Sequence, residues 1–148
     1  MKIVIGSEHA GADYMARLAE ALRSGGDDVT VIGEQEGRIG YPAVAEATCR
    51  IVLSGQVDFG ILICGTGIGM SMAAGKVPGI RAALCTDSYM AQMAKKHNNA
   101  NVVVFGSRVI GFENMLCILD AYRKETYEGG RHDARLAALS ALESAYLK

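Results

Sequence analysis

The run from Asp58 to Lys76, DFGILICGTGIGMSMAAGK, constrains the fold of this chain more than any other stretch. Phe59 to Ile63 is short, apolar and partly β-branched, which is the signature of a parallel strand buried on both faces. It ends at Cys64. Gly65, Gly67 and Gly69 then alternate with Thr66 and Ile68 before a Met/Ala run that suits a helix. Such a strand, glycine-rich turn and helix allow backbone N–H groups to approach an anion at the helix N-terminus, where unpaired donors and the helix dipole favour negative charge. A side chain at the strand end faces that ligand, so Cys64 and Thr66 are the first candidates for chemistry.

The rest of the chain repeats this alternation. Lys2 to Gly6 reads as a first strand, followed by a loop over residues 7–11 and a helix from about Ala12 to Ser24 that stops at Gly25 and Gly26. Asp28 to Ile32 is a second strand. A polar loop over Gly33 to Gly40 leads into Tyr41 and Pro42, and Pro suits the first turn of a helix running to about Ser54. After the central strand, a helix reaches Lys76; Ile80 to Leu84 is a fourth strand, and Asp87 or Ser88 caps a helix to about His97. Asn101 to Phe105 is a fifth strand and Gly111 to Tyr122 another helix. This order predicts one α/β domain over residues 1–148, a three-layer α/β/α fold whose five-stranded parallel sheet gathers ligands at the carboxyl ends of its strands. A last helix, about Asp133 to Tyr146, is rich in Ala and Leu and has no sixth strand to cover. It is expected to pack on a second subunit.

Fifteen basic and sixteen acidic residues leave a formal net charge of −1. That balance argues against nucleic acid as a partner but leaves room for a local basic site. The four cysteines, Cys49, Cys64, Cys85 and Cys117, are well separated with no C-x-x-C pair, as in proteins of a reducing compartment. No charged segment leads into an apolar stretch at the start, and no apolar run approaches membrane-spanning length. A cytoplasmic protein without membrane contact is expected.

Both familiar nucleotide fingerprints fail in the glycine-rich turn. G-x-G-x-x-G would need glycine where Met70 stands, and the P-loop is broken by the five residues between Gly69 and Gly75 and by Val77 after Lys76. A generic anion or oxyanion cradle remains, with close helix-on-strand packing as an equally weighted alternative. Cys64 alone would more often be a buried structural thiol, but a strand-end thiol beside a helix N-terminus can serve as base or nucleophile. Thr66 either forms the turn or bonds a substrate oxygen. Of the three histidines, His9 follows the first strand, His97 ends a helix and His132 lies in the polar segment before the last helix; a histidine near such a site suits proton transfer. Arg131 and Arg135, four apart, point the same way on a helix and can grip a phosphate, the alternative being a solvated basic face. Together these residues favour proton transfer on a small phosphorylated carbonyl compound. No H-E-x-x-H, paired cysteines or clustered carboxylates announce a metal.

Several motifs, in order along the chain, resemble one family. They are Gly6-Ser7-x-His9-Ala10-Gly11, Ile63-Cys64-Gly65-Thr66-Gly67-Ile68-Gly69, Gly79-Ile80-Arg81-Ala82-Ala83, His97-Asn98-Asn99-x-Asn101, Phe105-Gly106-Ser107-Arg108, and Tyr127-x-Gly129-Gly130-Arg131-His132 with Arg135. They look like those of the ribose-5-phosphate isomerase B family, which includes galactose- and allose-6-phosphate isomerases. The resemblance implies a Rossmann-like sheet and a metal-free, cofactor-free aldose–ketose isomerase acting through a cis-enediol. It implies that Cys64 moves the proton between C1 and C2, and that Thr66 and His97 assist furanose ring opening. The N–H groups of Gly65, Gly67, Ile68 and Gly69, with Ser71 nearby, would hold the enediolate. His9, Arg131 and Arg135 would bind phosphate, with Arg108 as a further candidate; Asn98 would contact sugar hydroxyls and Tyr41 would pack on the sugar. It also implies a homodimer, or a tetramer of such dimers, with sites between subunits, so that His97 serves its neighbour's Cys64.

Two positions depart from the family pattern. Glu8 stands where family members usually have Asp before the histidine, and Gly40 where they usually have Asp before Tyr-Pro. Both loops border the sugar, so the departures bear on which sugar fits. The leading expectation is ribose 5-phosphate and ribulose 5-phosphate. The same chemistry on a hexose phosphate or a tetrose or tetrulose phosphate is the nearest rival, and a non-catalytic phosphosugar-binding module is the rival of another class.

Overall fold

A computed structural model describes residues 1–34, 37 and 40–147. The middle of the polar loop expected over Gly33 to Gly40 lies outside the described residues. The strands are β1 (Lys2–Ser7), β2 (Asp28–Ile32), β3 (Phe59–Cys64), β4 (Ala82–Leu84) and β5 (Val102–Gly106). They form one parallel sheet in the order β2-β1-β3-β5-β4, with β3 at its centre. The helices are α1 (Ala12–Ser24), α2 (Gly40–Leu53), α3 (Ile68–Ala74), α4 (Ser88–Lys96), α5 (Phe112–Arg123) and α6 (Arg131–Tyr146).

The three inner strands β1, β3 and β5 bury both faces, because their side chains alternate between two apolar layers. Ile3, Ile5, Phe59, Ile61, Ile63, Val103 and Phe105 join Leu18 of α1, Ala91 of α4 and Ile118 of α5 in one core. Leu62, Val102 and Val104 join Val44 of α2 and Met70 of α3 in the other. The expected three-layer α/β/α fold is present. The central strand is wholly buried, as its continuous apolar run requires.

Three boundaries lie two residues from expectation, two of them for a clear local reason. β4 starts two residues late, because Ile80 N–H donates to the Val77 carbonyl in a turn through Gly79, which has φ +88°. Helix α3 ends at Ala74, short of Lys76. Helix α6 starts at Arg131, two residues early: Gly129 and Gly130 both have positive φ, and the N–H groups of His132 and Asp133 already donate to their carbonyls. A short 3-10 turn, His9–Gly11, was also not expected; the Glu8 carboxylate caps it by accepting from Ala10 N–H.

Candidate active site

The register aligns the carboxyl ends of β1, β3 and β5, pairing Ser7 with Ile63 and Cys64 with Gly106. Cys64 is therefore flanked by two loops and is itself buried, only 6% exposed. Its Sγ accepts from Gly67 N–H at 3.2 Å, and Thr66 Oγ1 accepts from Ile68 N–H at 3.2 Å. Two amides of the turn thus hold the two side chains singled out for chemistry. Gly67 can do so because its φ is +80°, the left-handed region that sets the start of α3.

Neighbouring loops fix this turn from the sides. Ser107 N–H donates to the Cys64 carbonyl and Arg108 N–H to that of Gly65, both at 2.9 Å, while Ser107 Oγ donates to the Ala10 carbonyl at 2.7 Å. Arg108 lies against Gly65, where a Cβ would stand 3.1 Å from its Nη1. The Tyr41 ring lies against Gly69, 3.0 Å from the same imagined atom. The packing reading of the glycines is thus observed at Gly65 and Gly69, which admit the Arg108 and Tyr41 side chains close against the turn. Ser71, half-buried on α3, donates its N–H to the Gly67 carbonyl at 3.0 Å.

His9 lies on the loop after β1, exposed and between two carboxylates. Its Nδ1 is 2.8 Å from Glu8 Oε2 and 3.1 Å from Glu34 Oε1, and Glu34 Oε1 also accepts from His9 N–H at 3.0 Å. The His9 backbone and ring hydrogen bonds, together with its charge, hold the Glu34 carboxyl below its usual range. No sequence signal marked Glu34, because it reaches His9 only after β2 is laid beside β1.

His97, Asn98, Arg131 and Arg135 lie at the opposite, amino-terminal end of the strands. Helix α4 runs back along the sheet, so His97, its C-cap, sits where β5 begins: Ala100 N–H donates to the Ala94 carbonyl and Gly60 N–H to that of Asn101. Four steps of parallel strand, at about 3.3 Å each, put roughly 13 Å between this end and Cys64. Asn99 has φ +45°, a conformation asparagine tolerates better than most residues. Arg81 Nε donates to its carbonyl at 2.8 Å, and Asn101 Oδ1 accepts from Arg81 N–H at 2.8 Å. Much of the H-N-N-x-N motif thus shapes the loop that presents His97 and the exposed Asn98.

Helix α6 meets His97 there. Glu128 N–H donates to the Lys96 carbonyl at 3.0 Å, and the His132 ring stacks on the His97 ring with centroids 4.3 Å apart and planes 18° from parallel. Glu128 Oε2 lies 3.9 Å from His97 Nε2 and 3.6 Å from His132 Nε2, while Lys96 Nζ approaches Oε1 at 3.3 Å. The Lys96 contact holds the Glu128 carboxyl below its usual range. Burial, reinforced by Arg131 and His97, lowers His132. Arg131 and Arg135 are exposed one turn apart, as their spacing required.

Among the described residues, two groups place ligand-type atoms within 4.8 Å of one another: His97, Glu128 and His132, and Glu8, His9 and Glu34. Sequence spacing announced neither.

The profile of the Ribose/Galactose Isomerase family matches residues 3–139. The chain is 43% identical over 143 residues to ribose-5-phosphate isomerase B of Escherichia coli, covering 96% of each. It is 42% identical over 133 residues to a D-erythrulose-4-phosphate isomerase of Pectobacterium atrosepticum, covering 88% of this chain and 87% of the other. The solved structure of Clostridium thermocellum ribose-5-phosphate isomerase B superposes with a TM-score of 0.94 at 43% identity, covering 99% of this chain and 100% of that one.

Proposed function

Since the chain belongs to the ribose/galactose isomerase family, we propose that it interconverts ribose 5-phosphate and ribulose 5-phosphate through a cis-enediol. The observation that carries this reading is the Cys64 thiol, fixed at the end of β3 beside the glycine-rich turn. With the aldehyde open, Cys64 takes the proton from C2 and returns it to C1. Charge passes onto the substrate oxygens, and amides of the turn that reach them contribute on the order of 3 kcal/mol each. Thr66 and His97 act on the furanose form, one accepting the proton of the anomeric hydroxyl and the other supplying one to the ring oxygen. His9, Arg131 and Arg135, with Arg108, hold the phosphate, while Asn98 and Tyr41 contact the sugar. Binding remote from the reacting carbons orients them.

These roles need two copies of the chain, because Cys64 and His97 lie at opposite ends of the strands of one sheet. A homodimer with each site shared between subunits, pairing further into a tetramer where that occurs, satisfies this requirement. The exposed Leu139, Leu142 and Tyr146 of α6 support such an association. One isomerase domain over residues 1–148, acting in the cytoplasm without metal or cofactor, completes the reading; all four cysteines are free, and no described helix is long and apolar enough to cross a membrane.

A second reading concerns the sugar. Identity to the erythrulose-phosphate relative is nearly as high as to the ribose-phosphate one. Gly40 has φ +69°, so the usual Asp would be strained in this backbone, and Glu8 is buried against its own loop. A panel of ribose, allose, galactose and erythrulose phosphates, assayed with excess chelator, separates the two. Preference for ribose 5-phosphate is expected; strong preference for another substrate removes the leading reading. Cys64→Ala is expected to lower turnover by on the order of 10⁴-fold while phosphosugar binding persists. Undiminished turnover would remove Cys64 as the base.

A further inference from the structure

His132 has no part in the chemistry assigned above, yet it is buried directly beside His97. Only 3% of the residue is exposed, and its Nε2 is the one buried side-chain nitrogen or oxygen among the described residues without a hydrogen-bond partner. A buried, unpaired imidazole nitrogen has an energetic cost. Its ring lies flat on that of His97, and Nε2 of both rings faces the same oxygen of Glu128. The backbone that places it is specific: Gly129 and Gly130, with φ of +66° and +58°, turn the chain so that His132 falls in the first turn of α6, under His97.

We propose that His132 is a positioning residue for ring opening: its buried face is the platform that fixes the plane of the His97 imidazole within its own subunit. His97 has no other ring packed on it among the described residues, and it sits at a helix end where its side chain would otherwise rotate freely. Helix α6 anchors the platform, since Tyr127 Oη donates to Asp133 Oδ1 at 2.7 Å and Glu128 N–H to the Lys96 carbonyl. The inference rests on the assignment of His97 to ring opening.

The substrates themselves separate that step from enolisation. Ribose 5-phosphate is mostly a furanose and must be opened. Ribulose 5-phosphate is open-chain, because its C5 oxygen carries the phosphate and cannot close on the C2 ketone. Misplacing His97 by about 1 Å is expected to cost roughly 10²-fold in kcat/KM for ribose 5-phosphate. The test measures kcat/KM for ribose 5-phosphate and, separately, solvent-deuterium exchange into C1 of ribulose 5-phosphate, which needs enolisation but no ring, in His132→Ala, His132→Phe, His97→Asn and the His97→Asn/His132→Ala double variant, with thermal unfolding alongside. His132→Ala should lose ribose 5-phosphate conversion while keeping exchange, His132→Phe should recover much of the conversion by restoring a flat ring, and the double variant should be no worse than His97→Asn. Equal losses of conversion and exchange, failure of His132→Phe to recover a folded enzyme's activity, or additive losses in the double variant would each overturn the positioning role while leaving His97 in place. If His97→Asn itself affects conversion and exchange equally, the ring-opening assignment fails, and the platform with it.

Discussion

At the scale of single residues, the site depends on backbone that only certain side chains permit. Gly67 has φ +80°, and a Cβ there would stand 2.5 Å from Leu84 Cδ1 and 3.1 Å from the Phe105 carbonyl carbon. Its amide is also the donor to Cys64 Sγ. Gly67→Ala is expected to cost about 1–3 kcal/mol through strain and overpacking. It should also lower kcat, because relief of the clash moves the amide away from sulfur. Thermal unfolding and steady-state kinetics measure the two effects; an unchanged melting temperature would mean that the turn relaxes without cost.

At the scale of elements, α2 approaches β1 as closely as it does because Gly6 has no side chain. A Cβ on Gly6 would collide with Thr48 Oγ1, and Thr48 is wholly buried with its hydroxyl donating to the Val44 carbonyl at 2.8 Å. Gly6→Ala is expected to destabilise the fold by about 1–3 kcal/mol, and adding Thr48→Ala should return part of that. Additive losses in a denaturant double-mutant cycle would show that the contact is not what limits the spacing. The same spacing matters for the site, since α2 carries Tyr41 onto Gly69.

At the scale of the whole molecule, the separation of Cys64 from His97 makes a direct prediction. Cys64→Ala and His97→Asn enzymes, each deficient alone, are expected to regain activity when unfolded and refolded together. Random pairing gives one intact shared site in half of the dimers, or roughly a quarter of the native activity. No recovery on mixing would place the complete site within one chain. A second whole-molecule link is Asp27, which joins the chain's amino group at 2.8 Å and Arg123 at 2.7 Å. Burial alone would raise its pKa, but these two cations hold it below the ordinary value. Because the folded pKa lies below the unfolded one, about 3.9, the stabilisation is complete above that pH and is lost as pH falls through the folded value. Asp27→Asn should therefore lower the melting temperature near neutrality and flatten its acid limb. An unchanged acid limb would assign that transition to other carboxylates.

Some of this was determined by the sequence alone. Five short, largely apolar runs alternating with helical stretches specified a parallel three-layer sheet, since a continuous run such as Phe59 to Ile63 must be buried on both faces. The strand end, the alternating glycines and the Arg131/Arg135 spacing were local patterns, and local patterns survive folding. Tertiary structure decided what depends on residues far apart in the chain. It put Glu34 on His9, set His132 beneath His97, and placed His97 and Cys64 at opposite ends of the strands. These outcomes follow from strand order and from the direction in which α4 runs back along the sheet, and neither is written in any single stretch of residues.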